Sequence, residues 1–132
     1  MKRQVPKRAA VGECRVASFN PAAVTAARRR LPRSADAQRV AACFGVLGNP
    51  ARLSLLLALK GRELCVCDCA RVLDGSVSGA SQHLKELRRL GAITFRTAGR
   101  MAYYRIADPL WLDRVEETLA MVTSTTRRKV SA

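Results

Sequence analysis

The stretch that decides the fold is VCDCARVLDGSVSGASQHLKELRRL, Val66 to Leu90. Val66, Cys69, Ala70 and Leu73 recur at the spacing of one helical face, and Asp74-Gly75 interrupts that pattern as a turn. The pattern resumes after Ser76, with Val77, Ala80, Leu84 and Leu87 as a second buried stripe. Two amphipathic helices joined by so short a glycine-bearing turn predict a helix-turn-helix.

Towards the C-terminus, Gly91 stops the second helix. Ile93 and Phe95 alternate with polar residues, Ala98-Gly99-Arg100 turns the chain, and Ala102, Tyr104 and Ile106 alternate again, which predicts a β-hairpin. Asp108-Pro109 opens a last helix with the apolar stripe Leu112, Val115, Leu119 and Val122. Towards the N-terminus, Asn49-Pro50 is an N-cap followed by proline at the first helical position. The segment Leu53 to Leu59 that follows is apolar nearly all round, as in a central helix, and Gly61 ends it. Ser34 is placed to cap an earlier helix, with Val40, Cys43, Phe44 and Leu47 as its inward face, so Cys43 reads as inert core. Pro21 to Arg30 predicts a further short helix. The expected organisation is a basic arm over residues 1–20 carrying Cys14, a domain over 21–124 and a basic tail over 125–132. The fold class is mainly α with a small β-hairpin (α+β): a winged helix-turn-helix.

The 132 residues carry 24 Lys and Arg against 10 Asp and Glu, a formal charge of +14. So large an excess favours a polyanion partner, without distinguishing DNA from RNA or an anionic membrane. Hydrophobic residues make up 48% of the chain, too many for a disordered tail protein. No apolar run approaches the roughly 20 residues of a membrane span, and no secretory signal follows the basic N-terminus. Five cysteines in this setting point to a reducing cytoplasm, where thiols bind metal or do redox work.

On the second helix of the motif, Ser78, Ser81, Gln82, Lys85 and Arg89 lie three or four apart, opposite the buried stripe. Each can donate a hydrogen bond: glutamine suits adenine edges, serine either kind of edge, lysine and arginine guanine or phosphate. Such a face is either a recognition helix for the major groove or an ordinary solvated surface, and the motif together with the charge favours DNA. Arg96 and Arg100 near the hairpin tip, with Tyr103 pointing outward, extend this face as a basic wing that can track phosphates. His83 sits beside the buried stripe and suits a core-edge or phosphate-contact role.

Cys65, Cys67 and Cys69 occupy alternate positions. At about 100° per residue a regular helix points the first two nearly opposite ways. Cys65 and Cys67 can share an ion only if Cys65 lies just before the helix, in extended or turn geometry. Cys69 then falls among inward residues, either as a small buried thiol or as an additional ligand. All-sulfur ligation selects soft or borderline ions such as Cd(II), Pb(II), Zn(II) or As(III). Two cysteines do not close a site, and Cys14 is the available third ligand.

These residues resemble the ArsR/SmtB family of metal-sensing repressors. Glu63-Leu-Cys-Val-Cys-Asp68 is similar to its metal-binding box. Ser81-Gln-His-Leu84, with Leu87 and Leu90-Gly91, is similar to its recognition-helix signature, and Gly99-Arg100 through Tyr103-Tyr104-Arg105 to its wing. The resemblance implies a homodimer on palindromic double-stranded operator DNA, released by metal, with terminal helices paired through Leu112, Val115 and Leu119. Cys14-Arg-Val-Ala-Ser18 resembles the N-terminal arm of the cadmium/lead branch, with serine where that branch commonly has its second cysteine. The implied site is therefore Cys14, Cys65 and Cys67, with Cys69 as a fourth, for Cd(II) or Pb(II); three sulfurs also suit As(III). Some relatives bind zinc between their last helices. Asp113, Glu116 and Glu117 stand there without a histidine, so that site is expected to be absent.

Two other classes compete. A thiol redox switch on the same fold would oxidise Cys65 and Cys67, but a disulfide across one intervening residue is strained. An enzyme would need a phosphate loop, a histidine beside an acid or paired carboxylates, and none is present, so no catalytic residue is assigned.

Overall fold

Asn49 begins the central helix as the sequence predicts. Its side-chain oxygen accepts from the backbone N–H groups of Ala51 and Arg52 at 2.9 and 3.2 Å, two of the four donors a helix start leaves without a partner. The computed structural model describes residues 19–130; Cys14 lies outside them. The chain divides into two units, residues 1–37 and 38–132.

In the first unit, helix α1 (Pro21–Arg29) is capped by Asn20, ends in Arg28 and Arg29, and buries no residue. Ser34 is the first residue of α2 (Ser34–Leu47) rather than its cap, and Arg33, just before it, pairs with Asp36 at 2.9 Å.

The second unit contains the rest of α2, then α3 (Pro50–Ala58), β1 (Leu64–Cys65), α4 (Val66–Val72), α5 (Val77–Leu90), β2 (Ile93–Ala98), β3 (Met101–Ile106) and α6 (Pro109–Val130). Leu55, Leu56 and Leu59 from the α3 segment and Leu84 and Leu87 from α5 are its largest fully buried side chains, with Cys69 among them. Burying leucines of this kind contributes about 1.5–3 kcal/mol each, so the core fixes α5 against α3. Between α4 and α5, Asp74 takes a left-handed φ of 51°, which aspartate tolerates better than most residues. Gly91 ends α5 at φ 82°, its N–H bonded back to the last turn, where a side chain would be strained.

The three strands form one antiparallel sheet in the order β1-β3-β2. The hairpin follows expectation, with Ile93 opposite Ile106 and Ala98 opposite Met101. The third strand does not: two residues are too few to display a period. Among the described residues no single helix is long and apolar enough to cross a membrane.

Several burial expectations are corrected. Val40 and Phe44 are 53% and 67% exposed and Cys43 is half-buried, so the inward face of α2 narrows to Leu47 with Val46 beside it. Val77, the first residue of α5, is 49% exposed, whereas Ala80 and Leu84 further along the same stripe are buried. Residues 125–130, expected as a tail, continue α6.

Candidate nucleic-acid interface and thiol cluster

Helix α5 carries the candidate reading face. Ser76 caps it by accepting from the Gly79 N–H at 2.9 Å. Ala80, Leu84 and Leu87 are buried beneath, and Ser78, Ser81, Gln82, Lys85 and Arg89 are all exposed on the other side. The apolar stripe therefore orients the polar one: seating the leucines turns five donors to solvent. Arg89 pairs with Glu86 at 3.1 Å, a surface contact that a stronger anion can displace. His83 is half-buried, and its Nδ1 has no hydrogen-bond partner among the described residues. Exposed Val77 adds an apolar group beside Ser78, of the kind that meets a thymine methyl. Periodicity assigned Val77 to the core, and only its place directly after the Ser76 cap hinted otherwise.

In the wing, Arg100 is exposed at the turn, next to Gly99 with φ 60°. Arg96 is not free: its Nε donates to Glu63 Oε2 at 2.7 Å, and its guanidinium lies 5.0 Å from the Tyr103 ring centroid. Tyr103 is half-buried, under the Arg96 guanidinium and on the face of β3 opposite Tyr104, which packs against the core. At the wing base Arg88 stands 4.5 Å over the Phe95 ring, and Phe95 packs against Tyr104 with centroids 5.5 Å apart. The contacts of Glu63 and Arg88 with the wing had no sequence signal, because neither residue belongs to a periodic pattern.

Cys65 has the geometry that a shared site demands. It is the N-cap residue of α4 with extended dihedrals (φ −77°, ψ 169°), not a helical residue. Its buried Sγ donates to Asp68 Oδ2 at 3.2 Å. Cys67, in the first turn of α4, is exposed. Cys69 is core: it is fully buried, and burial first, then the charges of Cys65 and Asp68, push its thiol from 9.0 to about 11. Its sulfur faces the core of its own chain, whereas Cys67 faces solvent. Among the described residues no three His, Cys, Asp or Glu side chains converge on a metal position. In kind, the sulfurs of Cys65 and Cys67 are donors that a soft ion takes, and both stand at the start of α4.

Of the terminal-helix residues expected at a dimer contact, Leu112 and Val115 are buried in the core of their own chain. Leu119 and Val122 are 47% and 55% exposed. With Phe44, Leu53 and Leu57 they line an apolar groove of about 440 Å³. Glu116 pairs with Lys60 at 2.7 Å and Glu117 with Arg114 at 2.9 Å.

Residues 49–94, which span the central helix, both motif helices and the entry to the wing, match the family model described as bacterial regulatory protein, arsR family. The chain is 33% identical over 104 residues to the cadmium resistance transcriptional regulatory protein CadC of Listeria innocua, covering 78% of this chain and 87% of that one. It is 43% identical over 73 residues to the transcriptional repressor SmtB homolog of Synechocystis, covering 55% of each. Among solved structures it resembles a homodimeric winged helix-turn-helix DNA-binding domain from Mycobacterium bovis, at 28% identity and a TM-score of 0.56, over 74% of this chain and 87% of that one. With a winged helix-turn-helix built in this way and these matches, the chain belongs to the arsR family of bacterial regulatory proteins.

Proposed function

We propose that this chain is a metal-responsive transcriptional repressor, a homodimer that holds operator DNA through α5 and the wing and releases it when Cys65, Cys67 and Cys14 take up Cd(II) or Pb(II). The observation that carries this reading is the double position of Cys65. It is the last residue of β1, paired with Tyr103 of β3, and also the N-cap of α4. A pull on its sulfur acts on the wing and on the first helix of the reading motif together.

The chain's own residues do the following. Leu84 and Leu87 seat α5 so that Gln82 and Ser81 meet base edges in the major groove, while Lys85, Arg89 and Arg100 meet phosphates. Two copies, joined along the groove that Leu119 and Val122 line, set their reading helices about 34 Å apart, one turn of duplex. A bound soft ion supplies bonds to sulfur that join the segment holding Cys14 to the start of α4. Cys65 then gives up its hydrogen bond to Asp68 and its proton, and Cys67 gives up its proton, so capture weakens at low pH. The coupling expected between the two sites is about 1–3 kcal/mol, and by linkage DNA lowers metal affinity by the same factor. The relatives' names, a cadmium resistance regulator and a repressor, point the same way.

The test is a titration of the reduced, full-length protein with Cd(II), Pb(II) and arsenite. The sulfur-to-metal charge-transfer band is recorded alongside release of a duplex selected by the protein from a random pool. A band that grows as DNA is released supports the proposal. Release by arsenite alone assigns the As(III) reading, to which three sulfurs are equally suited, and undiminished DNA binding with all three ions refutes both.

A further inference from the structure

Glu63 and Arg96 are 33 residues apart in the chain, yet they form an ion pair at 2.7 Å. The sheet order places β3 between them. On β3, Tyr103 is opposite Cys65 on one side and Arg96 on the other. Arg96 is therefore held twice, through Nε by the Glu63 carboxylate and over its face by the Tyr103 ring. Its side chain is still 53% exposed, and that of Glu63 34%, so the pair lies at the surface where DNA would approach.

A guanidinium presents its N–H donors in a planar fork, and a carboxylate and a phosphate compete for the same edge. In a chain with 24 basic residues and 10 acidic ones, a carboxylate spent on a wing arginine works against the phosphate contact that the remaining charge favours. We propose that Glu63 is an internal competitor for Arg96, holding this wing arginine back from DNA phosphates until the duplex displaces it. Glu63 precedes Cys65 by two residues on the segment that leads into β1. The inference deepens the proposed function and rests on its DNA reading, not on the metal.

The experiment uses full-length apo protein and compares wild type, Glu63→Gln, Arg96→Ala and the double variant on the selected duplex across a range of salt. A surface pair of this kind predicts that Glu63→Gln binds roughly two- to fivefold more tightly, with a salt slope steeper by about 0.9 for one added phosphate contact. In the Arg96→Ala background the same change yields only what one fewer negative charge yields. Glu63→Asp, which withdraws the carboxylate by one methylene at unchanged net charge, also tightens binding and stands in if the glutamine variant folds poorly by thermal melt. Equal gains in both backgrounds, or weaker binding by Glu63→Gln, overturn the inference while the DNA reading stands. A wild type that retains no duplex ends both.

Discussion

Cys65 and Tyr103 are register partners across β1 and β3. The residue that caps α4 is thus also a sheet residue of the wing, and Tyr103 carries the row on to Arg96 of β2. A sulfur in the first turn of an isolated helix would sense only that helix. This one is tied by backbone pairing to a strand that begins 36 positions later, at Met101, so a single thiol residue belongs both to the wing sheet and to the start of the first motif helix.

Replacing Cys65 or Cys67 by serine should leave DNA affinity within about twofold and abolish release by Cd(II) or Pb(II). Hydroxyls are poor ligands for soft ions, and serine in place of Cys65 keeps a donor for Asp68. Fluorescence anisotropy of a labelled duplex with and without metal measures this. Metal-driven release surviving in both variants would move the site elsewhere in the chain.

Gln82→Ala and Arg100→Ala should fail in different ways. Losing Gln82, exposed in mid-α5, should cost about 1–3 kcal/mol on the preferred sequence and little on random DNA, as for a base contact. Losing Arg100 at the wing turn should weaken both to the same degree and reduce the salt slope by about 0.9. Equal losses on selected and random duplex for Gln82→Ala would displace α5 as the reading helix.

Cys69 makes the fold sensitive to alkali. Burial raises its thiol from 9.0 to about 11 in the folded chain, so the unfolded chain releases this proton first. Its contribution is intact below about pH 9 and is lost as the pH rises through about 11. A difference of two pH units corresponds to about 2–3 kcal/mol at most. Urea melts from pH 8 to 11 should show this decline, and Cys69→Ala should start less stable, by the loss of a buried group, with a flatter profile. An identical slope in the variant would assign the decline to other groups.

Leu119→Asp should weaken self-association at least tenfold while the monomer keeps its helical circular dichroism, since Leu119 is 47% exposed beside the apolar groove. Leu112→Asp should instead unfold the chain, because Leu112 lies in the core. Sedimentation velocity separates the two. A Leu119 variant that dimerises like wild type would rule out this face as the contact.

Local chemistry made much of the fold legible in advance. The Asn49-Pro50 start, the left-handed stop at Gly91, the hairpin turn at Gly99 and the Ala80-Leu84-Leu87 stripe all depend on residues within a few positions of one another, and all stand where the sequence placed them. The extended geometry of Cys65 was legible too, because three cysteines at alternate positions cannot share one helical face. Tertiary structure decided what depends on distant neighbours. An apolar side chain is buried only if another element covers it, so Val40, Phe44 and Val77 are exposed although their spacing matches the core. Cys69 lies in the core because α4 turns it inward. The pairing of Cys65 with Tyr103 and of Glu63 with Arg96 needed β1 to find β3, and a two-residue strand has no period by which the sequence could announce it.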